Sequence, residues 1–441
     1  MMQQPFYVIV GLGLTGMSCA RHLARCGMPF AVIDTRPAPP HLAEFKNAFP
    51  GIEVSLGQLD EVLLDKATDI ILSPGIPLQT PAIQKQIALG KPVIGDIELF
   101  AQAVNSSVIA ITGTNAKSTV TTLVGEMAET AGVKVKVGGN LGTPALDLIT
   151  EEAELYVLEL SSFQLETVTS LKPAVATVLN ITPDHMDRYA SFQDYIAAKK
   201  RVYQHCQVAV CNRDDVLTDH NAIKKFNFTL QQPKDNEFGL LHQNGDVYLA
   251  HAGQALLPVS DLPVAGKHYQ ANALAALAIG YGYGLSMDAM IKTLKTFKGL
   301  PHRCELVRKR NGVSWYNDSK GTNVGATLAA IEGLGSDIKG KLVIIAGGVG
   351  KSADFSPLVL SIEKYAKSVV LIGEAAPLLA ALIGDRVDVQ FAKSMEEAVL
   401  LSDKIAASGD GVLLSPACAS FDMFKNFEHR GQVFSEAVRG L

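Results

Sequence analysis

Short apolar runs that end in a glycine turn and continue as a helix-like stretch recur along the chain, and this alternation limits the possible folds more than any other feature. FYVIV (residues 6–10) runs into GLGLTG, with Gly11, Gly13 and Gly16; MSCARHLARCG then has helical periodicity as far as Gly27, and FAVID ends on Asp34. Strand, turn, helix and strand in this order make a parallel pair, because parallel strands need a crossover long enough to hold a helix. The pattern returns in SVIAITGTNAKST, LYVLELSSFQLE and AVATVLNITPDHMDRY, and again in KLVIIAGG, SVVLIG and GVLLSPA. At 441 residues the chain is too long for one ordinary domain, and 48% hydrophobic with 19% charged content suits several buried cores. The expected fold class is α/β, in three units with largely parallel sheets.

Departures from the alternation mark the seams. DIILSPGI and PVIGDIELF read as further strands that carry the first unit to about residue 100. The polar stretch from about 230 to 265 reads as hairpins, and YQANALAALAIGYGYG as a helix. Gly299 and Pro301 in FKGLPHRCE suggest a boundary, after which CELVRKR and VSWYN follow as a hairpin. The net charge of −5, without a basic run, gives no footprint for nucleic acid. No apolar run approaches the roughly 18 to 20 residues that span a bilayer, and the N-terminus lacks the pattern of a secretion leader. The expectation is a cytoplasmic protein without membrane insertion, acting on small molecules. The six cysteines have no metal-ligand spacing and read as reduced thiols.

Two segments compete as the phosphate loop, ITGTNAKSTV (111–120) and AGGVGKSADF around Lys351, and neither has the full Walker spacing. Context favours the first. Gly113, Thr114 and Asn115 can turn the backbone around an anion, Lys117 brings charge to the outer phosphates, and Ser118 can hold a magnesium ion ahead of Thr119. LYVLEL then delivers Glu159 at a strand end, as a second ligand to that ion requires. Lys351 has no such companion, Pro357 limits the helix after it, and the plain reading is a surface lysine in a glycine loop. GLGLTG followed by Asp34 also matches a dinucleotide fingerprint, so a nicotinamide site stays open for the first unit taken alone.

Taken in order, GLGLTG, DTR, SPGI, GDIELF, ITGTNAKSTVTTLVGEM, GGNLGTPAL, YVLELSSFQLE, DHMDRY, AAK, LPHR, NDSK, GGVGKSADFSPL and LLSPACASFDMFKNFEHRG resemble the Mur ligase family over the whole chain, least so from about 205 to 265. The resemblance implies an N-terminal Rossmann-like domain for a UDP-sugar (1–95), a central P-loop ATPase with a mainly parallel sheet (96–299), and a C-terminal Rossmann-like domain for an amino acid (300–441). It implies an ATP-dependent amide ligase of peptidoglycan precursor synthesis, working through an acyl phosphate. The implied substrates are UDP-N-acetylmuramoyl-L-alanine and D-glutamate, with ATP as co-substrate and two Mg2+ ions; a monomer is favoured.

Residue by residue, the resemblance assigns Leu14, Thr15, Asp34, Thr35, Arg36 and Gly75 to the UDP end. It assigns the loop Gly113, Thr114, Asn115, Ala116, Lys117, Ser118 and Thr119 to the phosphates, and Asn140 to the γ-phosphate or the acyl phosphate. Ser118 and Glu159 hold the first metal, and His185 the second. Lys199 joins it as a carbamate, because a protonated lysine with a pKa around 10.4 is repelled by two cations; Lys200 and Arg201 beside it read as ordinary solvated charges. Asn272, Arg303 and Asp318 match the adenine and ribose contacts, and Thr322, Lys351, Ser420 and Phe427 the amino-acid pocket. The spacing of Phe421, Phe424 and Phe427 is helix-like, so at least two of them are expected in the core.

Three positions depart from the family pattern. Ala116 stands where glycine is usual, Tyr269 where asparagine commonly follows histidine in GxHN, and Gly321 where alanine commonly follows NDSK. A left-handed position 116 costs alanine about 1 to 2 kcal/mol, whereas a right-handed one gains close to 1. The remaining alternatives are a folylpolyglutamate-type relative, against which the N-terminal GLGLTG and DTR speak, and an ATPase-impaired nucleotide-binding homologue, suggested by Ala116 alone.

Overall fold

The computed structural model describes residues 5–264, 266–350 and 353–441. Its strands fall into three sheets, each in an α/β unit; one apolar cluster runs continuously from Ile9 and Phe30 of the first unit to Val108 and Tyr156 of the second, and the third unit has its own core. In the first, β1 (Tyr7–Val10), β2 (Phe30–Asp34), β3 (Val54–Leu56), β4 (Asp69–Leu72) and β5 (Val93–Ile94) lie in the order β3-β2-β1-β4-β5, all parallel. The strand order reverses direction between β1 and β4, and such a switch point leaves a crevice at the strands' carboxyl ends. The turns after these two strands, Gly11–Gly13 and Ser73–Gly75, flank that crevice.

The second sheet comprises β6 (Ser107–Thr112), β7 (Val135–Gly139), β8 (Leu155–Glu159), β9 (Val175–Val178), β10 (Val208–Asn212), β11 (Lys225–Phe228), β12 (Glu237–Gln243), β13 (Asp246–His251) and β14 (Gln254–Pro258). Their order is β14-β13-β12-β11-β10-β9-β6-β8-β7, parallel except for the β12-β13-β14 hairpins. Those hairpins occupy the polar stretch expected to form them. They turn at Asn244-Gly245 and Ala252-Gly253, all four with positive φ, the twist that matches two-residue hairpins. β6 lies between β8 and β9, so the loops after these three strands meet at one end of the sheet. The expected helix after the hairpins spans Lys267–Tyr283 and is buried from Ala273 to Gly280.

The third sheet contains β15 (Glu305–Arg310), β16 (Val313–Asn317), β17 (Leu342–Gly347), β18 (Ala366–Ile372), β19 (Asp388–Phe391) and β20 (Gly411–Leu414), ordered β15-β16-β20-β17-β18-β19. Only the β15-β16 hairpin is antiparallel. The carboxyl ends of β16 and β20 carry NDSK and the 415–420 loop.

Three sequence expectations are corrected. GDIELF is a helix, Asp96–Ala103, and the strand before it is only Val93–Ile94. Gly95 caps that helix, and Asp96 and Glu98 lie in its first turn, where carboxylates complement the helix dipole. Arg201 is no free charge: its Nε and Nη2 donate to the carbonyls of Leu165 and Val168 at 2.7 and 2.8 Å. None of the three phenylalanines is fully buried. Phe421 is 71% exposed on a turn, Phe424 packs half-buried against the core, and only Phe427 is helical, opening the helix Phe427–Gly440.

Candidate active site

The first phosphate-loop candidate leaves β6 at Thr112 and enters the helix Lys117–Thr130. Its backbone is stapled to the chain after β9. Thr114 N donates to Asn180 O at 2.9 Å, Asn115 N to Asn180 Oδ1 at 2.8 Å, and the Thr114 hydroxyl meets Tyr195 Oη at 3.1 Å. Ala116 caps the helix with φ 67° and ψ −5°, so it occupies the left-handed conformation. A non-glycine residue held there carries strain of about 1 to 2 kcal/mol. Lys117 folds back on the loop, its Nζ donating to Gly113 O at 2.9 Å and Thr114 O at 2.8 Å. Burial lowers its pKa, opposed by Glu159.

Lys199 reaches the same loop from the helix Phe192–Lys200. Its Nζ donates to Gly113 O at 2.8 Å and lies 4.6 Å from the centre of the Tyr195 ring. The side chain is buried, and burial, reinforced by Lys117, drives its pKa well below the ordinary lysine value. A neutral amine is therefore within reach here, where an exposed lysine would stay charged.

Glu159 ends β8 directly beside this loop. Its Oε1 accepts from Asn140 Nδ2 at 2.7 Å, and Asn140 N donates to Glu159 O at 2.8 Å. Gly139 makes this approach possible, since a Cβ there would lie 2.5 Å from Glu159 O. Glu159 Oε2 is buried without a hydrogen-bond partner among the described residues. An orphaned carboxylate oxygen next to a phosphate loop suits a hard cation, so Glu159 fits the metal role. Ser118 Oγ accepts from Arg303 Nη2 at 2.7 Å. His185, at φ 57°, sets its ring edge-on to Phe163 at 4.8 Å, with Nε2 3.8 Å from Asp184 Oδ2. Among the described residues no three His, Cys, Asp or Glu side chains form a metal cluster.

A cavity of about 190 Å3 opens beside this loop, between the second and third units. It brings Ala116 and Thr119 together with Asn272, Arg303 and Asp318. Burial raises the Asp318 pKa to about 6, against the pull of Ser415 and Arg303. Its Oδ2 accepts from Ser415 Oγ at 2.7 Å. Gly321 explains its own departure: a Cβ there would sit 2.6 Å from Asp318 Oδ2 and 2.7 Å from Ser415 Oγ. Tyr269 is buried, its ring parallel to Phe297 and its hydroxyl 3.4 Å from Phe297 O.

The crevice of the first unit holds about 510 Å3 and is lined by Leu14, Thr15, Asp34, Thr35, Arg36 and Gly75, together with Asn140. All six residues assigned to one end of a substrate thus converge. Asp34, however, is fully engaged. Its carboxylate accepts from Leu12 N and from the Arg36 backbone and guanidinium at 2.7 to 2.9 Å. Burial would raise its pKa, but these donors outweigh it and the net shift is downward. Arg36, half exposed, presents the polar edge instead.

A third cavity, about 420 Å3, lies between residues 182–187 and the start of the helix Val324–Asp337, with Asp184, His185, Thr322 and Asn323 in its wall. Thr322 lines it, and Lys351 lies outside the described residues. Ser420 and Phe427 do not line this cavity. Ser420 is buried after β20, and the Phe427 ring carries Lys320 Nζ 3.7 Å from its centre. Sequence reasoning missed Lys320, Asp184, Asn323 and Arg188. Arg188 donates to Pro74 O and Ile76 O, both at 3.1 Å, fastening the second unit to the turn beside Gly75. Lys320, Asp184 and Arg188 stood within motifs already singled out, NDSK and DHMDRY, which were read for their other members.

Three family models match the chain: the Mur ligase MurD-like N-terminal domain over residues 6–95, the Mur ligase middle domain over 111–280, and the Mur ligase glutamate ligase domain over 302–418. A UDP-N-acetylmuramoylalanine--D-glutamate ligase of Pseudomonas syringae pv. tomato is 54% identical over 439 residues, covering 99% of this chain and 98% of that one. Ligases of the same name from Pseudomonas aeruginosa, at 52% over 99% and 98%, and from Coxiella burnetii, at 50% over the whole of both chains, are also similar. Among solved structures, the UDP-N-acetylmuramate-alanine ligase MurC of Thermotoga maritima superposes with a TM-score of 0.64 at 16% identity, over 99% of each chain. MurF of Acinetobacter baumannii gives 0.62 at 18% identity, over 98% of this chain and 90% of its own. At such identities these two speak for the fold.

Proposed function

The chain belongs to the Mur ligase family, and from that premise we infer how its residues carry out the ATP-dependent addition of D-glutamate to UDP-N-acetylmuramoyl-L-alanine in peptidoglycan synthesis. The observation that carries the reading is the Asn140–Glu159 pair. Asn140 lines the first-unit crevice and also holds the carboxylate beside the phosphate loop, at 2.7 Å. A substrate seated in the crevice therefore extends its free carboxylate toward the γ-phosphate of a nucleotide on residues 113–119. Three domains, 1–95, 96–299 and 300–441, divide the labour, in a cytoplasmic enzyme acting as a monomer. No helix among the described residues is long and apolar enough to cross a membrane.

Arg36, Thr15 and the amides after Gly13 bind the UDP end in the crevice, with Leu14, Thr35 and Gly75 shaping its wall and Asp34 holding Arg36 in place. Asn272, Arg303 and Asp318 take the adenine and ribose of ATP. Lys117 leaves the loop carbonyls for the β- and γ-phosphates. The substrate carboxylate attacks the γ-phosphorus and the bond to the ADP oxygen breaks, giving the acyl phosphate. The D-glutamate amine then attacks the acyl carbon, loses a proton, and phosphate departs with the C–O bond, leaving the amide. In the first step, positive charge held opposite the charge that builds on ADP lowers the barrier to phosphoryl transfer. Two Mg2+ ions would be held by Ser118 and Glu159, and by His185 with a carbamate on Lys199, and would supply Lewis-acid neutralisation of the phosphate oxygens. The carbamate forms when the neutral Lys199 amine adds to carbon dioxide and releases a proton; burial of that amine supports it. D-Glutamate is assigned to the third cavity, at Thr322 with Lys351; Ser420 and Phe427, which do not line it, belong to the pocket only as the family resemblance implies.

The test is phosphate release with ATP and UDP-N-acetylmuramoyl-L-alanine across a panel of D- and L-amino acids. D-Glutamate alone is expected to drive turnover. Release driven by L-alanine, a diamino acid or L-glutamate in its place overturns the assignment.

A further inference from the structure

Asn323 opens the helix Val324–Asp337 of the third unit and caps it, its Oδ1 accepting from Ala326 N at 2.8 Å. That bond fixes the orientation of the side-chain amide, because a backbone N–H can only be met by the oxygen. Both N–H groups of the amide must then face the second unit. There they donate to Asn115 Oδ1 and to Asp184 Oδ2, each at 3.2 Å. Asn115 belongs to the phosphate loop, and Asp184 precedes His185. Thr322, the neighbour of Asn323, lies in the wall of the third cavity, as do Asn323 and Asp184 themselves.

The fit is close for a second reason. A Cβ on Gly325 would lie 2.8 Å from Thr182 Oγ1, so a larger residue here would push Thr182 or the helix start away from the loop after β9. One side chain thus spans from the helix that borders the amino-acid cavity to the loop that holds phosphates.

We propose that Asn323 is a positioning residue that couples D-glutamate in the third cavity to the nucleotide on the phosphate loop. The inference rests on the function proposed above. D-Glutamate favours the third unit docked on the second; docking places Asn323 on Asn115 and Asp184; and the loop ordered in that way binds the nucleotide better. Linkage makes the effect mutual, so the nucleotide raises D-glutamate affinity by the same factor.

Titration calorimetry of the full chain, saturated with UDP-N-acetylmuramoyl-L-alanine, measures the Kd of the β,γ-imido analogue of ATP with and without saturating D-glutamate. Wild type is expected to show a Kd at least about fivefold lower with D-glutamate, within the usual range for such couplings. Asn323→Ser keeps a good cap but is too short to reach either acceptor, and its factor should fall to within about twofold of unity with the thermal midpoint nearly unchanged. Gly325→Ala removes no polar group and favours the helix, yet should lose the coupling as well. A coupling that survives in both variants, or its absence in wild type, overturns the inference. A wild-type protein that binds no nucleotide analogue at all instead overturns the function on which it stands.

Discussion

The side-chain amines of Lys117 and Lys199 donate to the same acceptor, the carbonyl of Gly113, at 2.9 and 2.8 Å. Two ammonium groups around one oxygen repel each other, and burial adds to the penalty on both. The pair is not symmetric. Glu159 and Asp184 support both charges, but Lys117 has a second acceptor in Thr114 O, whereas Lys199 has the single carbonyl and a Tyr195 ring and feels the Lys117 charge. Of the two, Lys199 is the one whose pKa burial drives well below the ordinary lysine value, and it is the amine proposed above to take up carbon dioxide.

Lys199→Ala should therefore abolish nearly all turnover, while acetate or another short carboxylate restores part of it by occupying the emptied space. Steady-state phosphate release with and without added acid checks this. An active enzyme that shows no carbamate carbon resonance after equilibration with 13C-bicarbonate at neutral pH refutes the carbamate.

Ala116→Gly should relieve the left-handed strain, partly offset by the greater freedom glycine has in the unfolded chain. The net gain is about 0.5 to 1 kcal/mol. Turnover should persist in both proteins with only a modest change in the KM for ATP. Wild type without detectable ADP formation, rescued by glycine alone, would mean that alanine silences the loop.

Asp96 is buried, with Oδ2 accepting from Gln164 Nε2 at 3.0 Å and Oδ1 unpartnered among the described residues. Burial raises its pKa from 3.8 to about 6. Between those values the folded protein binds more protons than the unfolded chain, so the contribution of this group to stability falls as pH rises from about 4 to 6 and stays low above. Asp96→Asn keeps an acceptor for Gln164 and removes the titration. Its stability relative to wild type should improve from pH 4.5 to pH 7.5, as measured by urea unfolding; a difference independent of pH counts against it.

Arg188→Ala should raise the KM for UDP-N-acetylmuramoyl-L-alanine about tenfold and leave the KM for ATP within about twofold, because its two hydrogen bonds fix the 74–76 turn rather than the phosphate loop. Arg188→Lys should recover part of the loss. Equal effects on both substrates would show that the arginine holds the second unit itself.

The three-unit α/β architecture was legible because each strand announces itself by an apolar run and each turn by glycine. Asn272, Arg303 and Asp318, singled out from different motifs, share one cavity, and Thr322 lines another. GDIELF was misread because IELF is apolar enough for a strand, and the cap at Gly95 with its two early carboxylates outweighed that. Arg201 and Asp34 illustrate a different limit. A sequence shows that a charge is present, but not that Leu165 O and Val168 O, or Arg36 and Leu12 N, have already claimed it. Asn323 was invisible for the same reason, since its partners come from positions 115 and 184.

Asn140 touches the first crevice with one side and the Glu159 carboxylate with the other. With the UDP-sugar in that crevice, as proposed above, an inhibitor that displaces it and presses on Asn140 should tug on Glu159 and so alter the way the enzyme handles ATP. Such a compound will look competitive toward the sugar and mixed toward the nucleotide. Resistance can then arise at residues of the phosphate loop, which the inhibitor never meets.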